Sequence, residues 1–491
     1  MDVELLLLHD LGEDLLIKIL SLCDVYSVLS VSAVNKYLSK VASTKQLWVV
    51  LMQNLVTNGL LVPPSKAELA LYSTADIIDD IKRIVHGPQT WEPAATLPPI
   101  IHRQITFDLH LDAASLRGIQ LLPGGKYAVV ETSNAVKLYA IFDTRCIWEK
   151  PAPKVRSMAT DMSCDGSVLR ILLAPKQLSK LGDFSERAEF IIHEIDLTSG
   201  HSREVFTLPM PPENIFDMWW CIDLQENLFL IQTMTMSLTR GHMFILIDWY
   251  TSQQVILSYQ EYTPGLDLSP RLAANHILAM GRARIPQFEG LNFLVTAIAD
   301  LEHYWHPLNI DVRKIPFTGD DLRSFPINPP MPENRIPTTA KVWLEFEGTT
   351  LDYPYKCSPL VIHPSPLRTD KYKIRIYLSA LFSIPPPRDR LLLNYTFSPT
   401  LAPAQMIEKL AAFSTVQNNP VYGISYAGYA LQWHGFPTTV VADMDSGRAK
   451  GRKGGVCVMQ KDERWDHTYF SPLDGALIGV VDSSVIICYY M

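Results

Sequence analysis

The 491-residue sequence lacks any uninterrupted apolar run of about 18 residues, the length that a membrane-spanning helix requires. Its first ten residues, MDVELLLLHD, contain no basic stretch ahead of their short apolar run, which argues against a secretory signal. We therefore expect a protein that resides in the cytoplasm, the nucleus or both, and that has no membrane partner.

An excess of positive charge is also missing. The 43 Lys and Arg residues are outnumbered by 51 Asp and Glu residues, which gives a formal net charge of −8. A surface that binds nucleic acid broadly would need a basic balance, so we expect a protein partner and no nucleic acid. The seven cysteines are odd in number, scattered and free of any C-x-x-C pair, a pattern that indicates reduced core residues rather than a disulfide framework or a zinc site.

Motifs for catalysis are scarce. The sequence contains no G-x-G-x-x-G, no P-loop and no H-E-x-x-H. His303 and His306 in the stretch EHYWH could share a metal ion on one helical turn, but no third ligand is evident, so structural histidines are the favoured interpretation. We predict no catalytic residue, no metal, no cofactor and no enzymatic activity.

What the sequence does have is an apolar-rich N-terminal stretch, Asp10 to Asn54. Its spacing predicts four short helices, the second beginning at an Asp24 cap and the fourth at a cap of Ser43 or Thr44. So small a unit cannot bury all of its apolar side chains alone, which leaves two interpretations: a docking module, or a helical cap packed on the next domain.

Four separated elements in this stretch decide between the two interpretations. Leu11 to Leu15 (LGEDL), Ile19 to Ser21, Val34 to Lys36 and Leu47-Trp48 resemble the F-box in order and spacing, over about 45 residues. The resemblance implies docking on a Skp-type adaptor that is itself bound to a cullin scaffold. It places these residues at or beneath the adaptor interface: Leu11, Gly12, Leu15, Ile19, Leu20, Val34, Lys36, Leu47 and Trp48.

Two positions depart from the F-box pattern. Gly12 stands where proline is usual, and Asn35 stands where cysteine is common. Because glycine lacks the preset φ of proline and adds conformational entropy to the unfolded chain, the resemblance implies a weaker adaptor affinity than is typical.

Further helices are expected to extend the helical region. Ser65 and Glu68 form the pattern of a capping box, Thr74 is a candidate cap for another helix, and Gly87-Pro88 would end it. The predicted division is an F-box over residues 8–54, a helical spacer over 55–87, a proline-containing linker over 88–100 and a strand domain over 101–491.

From about residue 101 onwards, short β-branched or aromatic runs alternate with turn residues, which is typical of β-strands. The predicted strands include Tyr127–Glu131, Val136–Phe142, Val168–Leu173, Phe190–Ile195, Leu228–Gln232, Phe244–Asp248, Phe293–Ala297 and Ile374–Leu378. A strand pair ending in an acidic residue recurs, with Asp143, Asp196 and Asp248 spaced 53 and 52 residues apart. Each aspartate is positioned to bond to backbone groups of the following turn.

This repeat predicts an α+β multidomain protein: an all-α N-terminal part followed by an all-β, propeller-like domain of about seven irregular blades. A WD-repeat signature is absent, so a lectin-like pair of sandwiches stays open as the alternative fold. The last 21 residues contain two strand-like runs, one of which could pair with a strand near residues 104–111 to close a ring.

The C-terminal ending and the stretch VYGISYAGYALQ are similar to the irregular β-propellers of fungal F-box proteins. Residues 312–390 are rich in proline and are expected to form long insertions on one rim of the domain.

The resemblance implies a substrate-receptor subunit of a Skp–cullin–F-box ubiquitin ligase, in which the β domain recruits a protein substrate that the sequence does not identify. Two alternatives stay open: an F-box scaffold that acts outside a ligase, and a propeller-fold hydrolase with a helical accessory domain.

Overall fold

The structure is a computed structural model. It describes residues 11–58, 60–61, 66–87, 100–109, 115–151, 155–163, 165–175, 189–209, 218–234, 242–258, 270–285, 288–308, 340–344, 355–357, 360–380, 390–402, 405–415, 421–424, 426, 429–433, 438–443, 456–460, 467–470, 476–481 and 483–490. The predicted linker over 88–100 falls almost entirely outside these residues, as do Ser65 and most of the expected rim insertions.

Six helices open the described chain. They are α1 Glu13–Leu20, α2 Val25–Ser32, α3 Lys36–Ala42, α4 Lys45–Thr57, α5 Lys66–Leu71 and α6 Thr74–His86. The predicted Asp24 cap is confirmed, because its carboxylate accepts the Ser27 N–H at 2.7 Å. Asn35 caps α3 in the same way, accepting the Leu38 N–H at 2.8 Å, which gives this departure from the F-box pattern a structural role.

The cap of α6 differs from the prediction. Ser73, not Thr74, is the N-cap, and it forms a reciprocal capping box with Asp76. The Asp76 N–H donates to Ser73 Oγ at 3.2 Å and the Ser73 N–H donates to the Asp76 carboxylate at 2.7 Å, a pair of bonds that requires a spacing of three residues. Gly87 ends the helix as predicted, with φ 77° and its N–H on the Arg83 carbonyl.

The helices share one hydrophobic core. Leu16, Leu47 and Trp48 from the first four helices pack in the same cluster as Ile77 and Ile81 from α6. The fourth helix continues to Thr57, beyond the predicted end of the F-box at residue 54. The predicted F-box and spacer segments therefore fold around a common interior.

Residues from 101 onwards are dominated by strands, as expected. The strands are β1 Ile101–Asp108, β2 Leu116–Leu121, β3 Tyr127–Thr132, β4 Ala135–Ala140, β5 Arg145–Pro151, β6 Val155–Met162, β7 Val168–Pro175, β8 Glu189–Asp196, β9 Ser202–Pro209, β10 Met218–Gln225, β11 Leu228–Met234, β12 His242–Asp248, β13 Gln253–Ser258, β14 Arg271–Ala273, β15 His276–Ile285, β16 Phe288–Ala297, β17 His306–Pro307, β18 Ala340–Leu344, β19 Tyr355–Cys357, β20 Val361–Pro364, β21 Tyr372–Ala380, β22 Arg390–Phe397, β23 Ile407–Thr415, β24 Val421–Ile424, β25 Tyr429–Trp433, β26 Thr438–Asp443, β27 Val456–Gln460, β28 His467–Phe470, β29 Leu477–Val481 and β30 Ser484–Tyr490. A 3-10 helix spans Ile298–Tyr304.

These strands form seven antiparallel sheets of four or five strands. In chain order, sheet 1 is β2–β5, sheet 2 is β6–β9, sheet 3 is β10–β13 with β17, sheet 4 is β14–β16 with β18, sheet 5 is β19–β23, sheet 6 is β24–β27, and sheet 7 is β28–β30 with β1. Seven separate sheets are not the two facing pairs that the sandwich alternative requires.

Direct contacts join every neighbouring pair of sheets. They are Gln120 with Thr160, Asp161 with Glu226, Asp223 with Leu272, His276 with Phe397, Arg375 with Tyr426, β24 with β28, and Phe107 with Tyr139. The sheets therefore follow one another around a closed ring, which is the arrangement of a β-propeller.

The predicted closure of the ring is confirmed. Strand β1 pairs antiparallel with β30 from Ile101 opposite Tyr490 to Asp108 opposite Ser484, so the N-terminal strand of the ring completes its C-terminal sheet. The Leu109 N–H donates to the Ser483 carbonyl at 2.8 Å and continues the pairing beyond the strand.

The recurring aspartates take the predicted role at two of three positions. Asp196 accepts the N–H groups of Thr198 and Ser199 at 2.9 and 2.7 Å. Asp248 likewise accepts the N–H groups of the residues two and three places further along the chain, at 3.0 and 3.1 Å. These bonds fix the turns that lead into the fourth strands of sheets 2 and 3.

Candidate docking surface

Large apolar side chains exposed to solvent concentrate on the first three helices. Of the 13 such side chains in the described part of the chain, seven belong to this short stretch: Leu15, Ile19, Leu22, Tyr26, Leu29, Val34 and Tyr37. We call these seven residues the helical apolar surface. Apolar side chains that are exposed singly need no explanation, but so dense a group within 23 residues is typical of a docking site.

Helix α1 separates its apolar residues onto two faces. Leu16 and Leu20 are 0% and 2% exposed and form part of the helical core. Leu15 and Ile19, one residue earlier in each case, are 55% and 41% exposed, and Leu22 in the turn that ends the helix is 86% exposed. Because a residue and its fourth successor share one side of a helix, Leu15 and Ile19 present a continuous outer stripe.

The next two helices extend this surface. Tyr26 and Leu29 are three residues apart on α2 and share one side of it. Val34 lies in the turn before α3, and Tyr37 lies in its first turn. The hydroxyl group of Tyr37 donates to the Leu11 carbonyl at 3.2 Å, which brings the start of α3 against the residue that precedes α1.

The nine residues that the F-box resemblance singles out fall into two groups. Leu15, Ile19, Val34, Lys36 and Gly12 are exposed, and Leu11 is half-buried.

The other three, Leu20, Leu47 and Trp48, are buried in the helical core. The Trp48 indole N–H donates to the Ala42 carbonyl at 2.7 Å, which ties α4 to the end of α3. A partner would therefore contact the first group directly, while the buried group holds the helices that carry it.

Formal charge is balanced around the helical apolar surface. Between residues 11 and 42 the acidic residues are Glu13, Asp14 and Asp24, and the basic ones are Lys18, Lys36 and Lys40. The surface thus has no strong field of one sign, and its affinity for a partner would depend on apolar contact and shape.

Sequence reasoning left Leu22, Tyr26, Leu29 and Tyr37 out of the candidate site. The first three continue the spacing of Leu15 and Ile19, at intervals of four, three, four and three residues. That pattern was visible in the sequence, but the end of α1 at Leu20 interrupts it, so only the structure shows that the residues after the turn are exposed as well.

In the described ranges, no three His, Cys, Asp or Glu side chains converge so that they could hold a metal ion. His303 lies in the last turn of the 3-10 helix and is exposed, whereas His306 lies in β17 opposite Gln254. None of the helices that the structure describes is long and apolar enough to cross a membrane.

Comparisons with known proteins give only structural neighbours, since no family model and no curated protein matches the chain. The β-propeller domain of Cps50 (Swd1) from Myceliophteria thermophila is 10% identical, with a TM-score of 0.42, over 80% of this chain and 100% of that one. The WD40 domain of SCAP from fission yeast is 9% identical, with a TM-score of 0.40, over 77% and 82%. The Dos1 propeller is 10% identical, with a TM-score of 0.37, over 76% and 77%.

Proposed function

We propose that this protein is the substrate-receptor subunit of a Skp–cullin–F-box ubiquitin ligase. Its helical region docks on a Skp-type adaptor, and its seven-bladed ring of sheets holds a protein substrate. The single observation that carries the proposal is that Leu15, Ile19 and Val34, which the F-box pattern singles out, are among the exposed members of the helical apolar surface.

The energetics of the helical apolar surface support a protein partner. Fully burying one aliphatic side chain stabilises a complex by about 1.5–3 kcal/mol, so even partial burial of three or four such residues is a sizeable gain. The net affinity is smaller, because association also costs rotational and translational freedom. A central group of anchors surrounded by polar residues is nevertheless the usual composition of a protein interface.

The ring supports the second half of the proposal. A rigid scaffold of closed sheets presents its connecting segments at two ends, and such segments commonly carry recognition. In this role the protein itself catalyses nothing. It raises the effective concentration of a bound substrate near the ubiquitin-conjugating enzyme that the ligase recruits.

Co-purification with a Skp-type adaptor tests the proposal. Full-length protein should retain the adaptor, and the double substitution Leu15→Asp with Ile19→Asp should abolish retention, because it places two charges on the apolar stripe. Substitutions at Leu20 or Trp48 are unsuitable, since they would disrupt the helical core. Tyr250→Asp is the control, because Tyr250 is a large apolar side chain that is exposed on the ring.

Failure of the unmodified chain to retain adaptor under any condition would refute the proposal. The proteins that co-purify also distinguish the ligase from the scaffold alternative, because an F-box scaffold would capture adaptor without cullin. No observation in the described residues favours the hydrolase alternative.

A further inference from the structure

A turn of sheet 5, Ser365–Lys371, is held together by internal hydrogen bonds. It joins β20 to β21, and the Ser365 N–H donates to the Lys371 carbonyl at 2.9 Å across its base. The Ser365 hydroxyl oxygen accepts the N–H groups of Leu367 and Arg368 at 3.3 and 3.2 Å. The turn therefore presents the Leu367 carbonyl and the Arg368 side chain in defined positions.

The Leu367 carbonyl completes the start of α2. It accepts the Tyr26 N–H at 2.9 Å. Tyr26 is the second residue of α2, where a backbone N–H has no acceptor within its own helix. The cap residue Asp24 already accepts the Ser27 N–H, so the turn satisfies a different donor of the same helix end.

Two side chains of the turn add to this bond. The Arg368 guanidinium carbon lies 4.6 Å from the centroid of the Tyr26 ring, within the range of a cation–π interaction. Arg368 also forms an ion pair with Asp370, with its Nε 3.6 Å from the carboxylate. Leu367 packs against the helical core. Polar, cationic and apolar contacts thus meet at one place on α2.

The helices come near the ring at two further places. A Cβ on Gly166, in the turn between β6 and β7, would stand 3.9 Å from the Thr57 carbonyl oxygen at the end of α4. Burial raises the pKa of Asp80 on α6, and the charges of Arg83 and of His102 at the start of β1 partly oppose that rise. The helices therefore approach sheets 2, 5 and 7.

All three places fall at the same end of the ring. In an antiparallel sheet the turn from the first to the second strand and the start of the fourth strand lie at one end. The turns that contain Gly166 and Leu367 are first-to-second turns, and β1 is the last strand in the order of sheet 7. Sheets 2 and 5 are three places apart in a ring of seven, so the helices reach across that end.

We propose that Ser365–Lys371 is a docking turn whose partner is the helical region of the same chain, and that it holds the helices in one orientation across this end of the ring. One consequence rests on the proposed function: within the ligase, adaptor and substrate keep a fixed relative position. The docking turn, rather than the length of the segment over 88–99, sets that position.

Cleavage of the full-length chain tests the docking turn. A protease site introduced between residues 88 and 99 allows the purified protein to be cut, and gel filtration then shows whether the helical fragment stays with the ring. We expect the two fragments to elute together. Leu367→Asp should release the helical fragment, and Arg368→Ala should raise its dissociation constant about two- to fivefold, as the loss of an exposed cation–π contact predicts.

Two control variants carry the same kinds of substitution at places away from the docking turn. Leu401→Asp introduces the same charge at an exposed residue in another turn of sheet 5, and Arg145→Ala removes an exposed arginine from β5. Both should leave the fragments together.

Hydrogen exchange of the uncut chain provides a second measurement in case Leu367→Asp does not fold. The Tyr26 amide should exchange slowly in the unmodified protein and faster in Arg368→Ala, while the amides of β30 are unchanged.

Separation of the fragments of the unmodified protein would overturn the docking turn, and so would a folded Leu367→Asp variant whose fragments stay together. Adaptor binding is an independent readout. Fragments that stay together without any adaptor capture would refute the proposed function and leave the docking turn standing.

Discussion

The helical region and the ring of sheets treat their apolar side chains differently. In the ring, each sheet covers the face of the next, as where Phe190 of sheet 2 and Phe229 of sheet 3 meet in one cluster. Because the ring is closed, every sheet has a neighbour on both faces. The helices also enclose a core, but Leu15 and Ile19 stay outside it on the same helix as buried Leu16. The ring buries the apolar faces of its sheets against one another, whereas the helical region leaves seven large apolar side chains exposed.

The largest effect should follow from breaking ring closure. Ile487 in β30 is fully buried between β1 and β29, so Ile487→Asp places an unpaired charge in the closing sheet. We expect a loss of more than about 4 kcal/mol in the free energy of unfolding, measured by urea denaturation. In the unmodified protein, burial raises the pKa of the neighbouring Cys488 thiol to about 11 and hides the thiol from reagent. Ile487→Asp should remove this protection, so alkylation of Cys488 should become fast. An unchanged urea midpoint would mean that β30 does not close the ring.

The contrast within α1 is sharpened by two neighbouring substitutions. Leu16→Ala should lower the free energy of unfolding of the helical region by about 2–5 kcal/mol, because it leaves a cavity in the core. Leu15→Ala should change it by less than about 0.5 kcal/mol in the isolated chain, since Leu15 is exposed.

Thermal unfolding of both variants provides the measurement. Adaptor capture should show the reverse order, with a larger loss for Leu15→Ala than for Leu16→Ala. Equal losses of stability at the two positions would contradict the separation of α1 into a core face and a docking face.

A close backbone approach between sheets 1 and 2 allows a substitution that should destabilise the ring by a smaller amount. Gly200 has φ 73°, and a Cβ at this position would lie 2.5 Å from the Ile147 carbonyl oxygen of sheet 1. Gly200→Ala combines a strained left-handed conformation with this clash, so we expect a loss of at least about 2 kcal/mol in chemical denaturation. Gly118→Ala is the control, because the nearest atom to its Cβ would be 4.0 Å away. A neutral Gly200→Ala would show that sheets 1 and 2 can move apart at little cost.

Much of this architecture could be predicted from the sequence, because its signals are local. Short apolar runs between turn residues indicated strands such as Val168–Leu173, helical spacing indicated the helices, and the apolar C-terminal run indicated the strand that closes the ring. The predicted cap at Thr74 was wrong by one residue, since Ser73 and Thr74 are both good caps and only the reciprocal bond to Asp76 distinguishes them.

Tertiary contacts set the limit of such prediction. Nothing in the sequence near Leu367 indicates that its carbonyl completes a helix more than 300 residues earlier in the chain. Leu15 and Leu16 are chemically identical, and their different burial is decided by where the other helices pack. Resemblance could suggest candidate residues for a docking site, but whether each one is buried or exposed follows from the assembled core.

The smallest effect is expected at Gly12, where the docking region departs from the F-box pattern. Its φ of −60° lies within the range that proline imposes, and no heavy atom lies within 4 Å of the position a Cβ would take. Gly12→Pro should therefore stabilise the helical region by about 0.4–1 kcal/mol, because it restricts the unfolded chain without straining the folded one. Thermal unfolding measures this gain. Adaptor affinity should stay equal or rise in Gly12→Pro. Leu15→Asp is the comparison variant, in which binding should be lost while stability stays similar. Destabilisation by proline would show that the Gly12 N–H or the residue before it has a role that proline cannot fill, and the departure from the F-box pattern would then be a structural requirement of this chain.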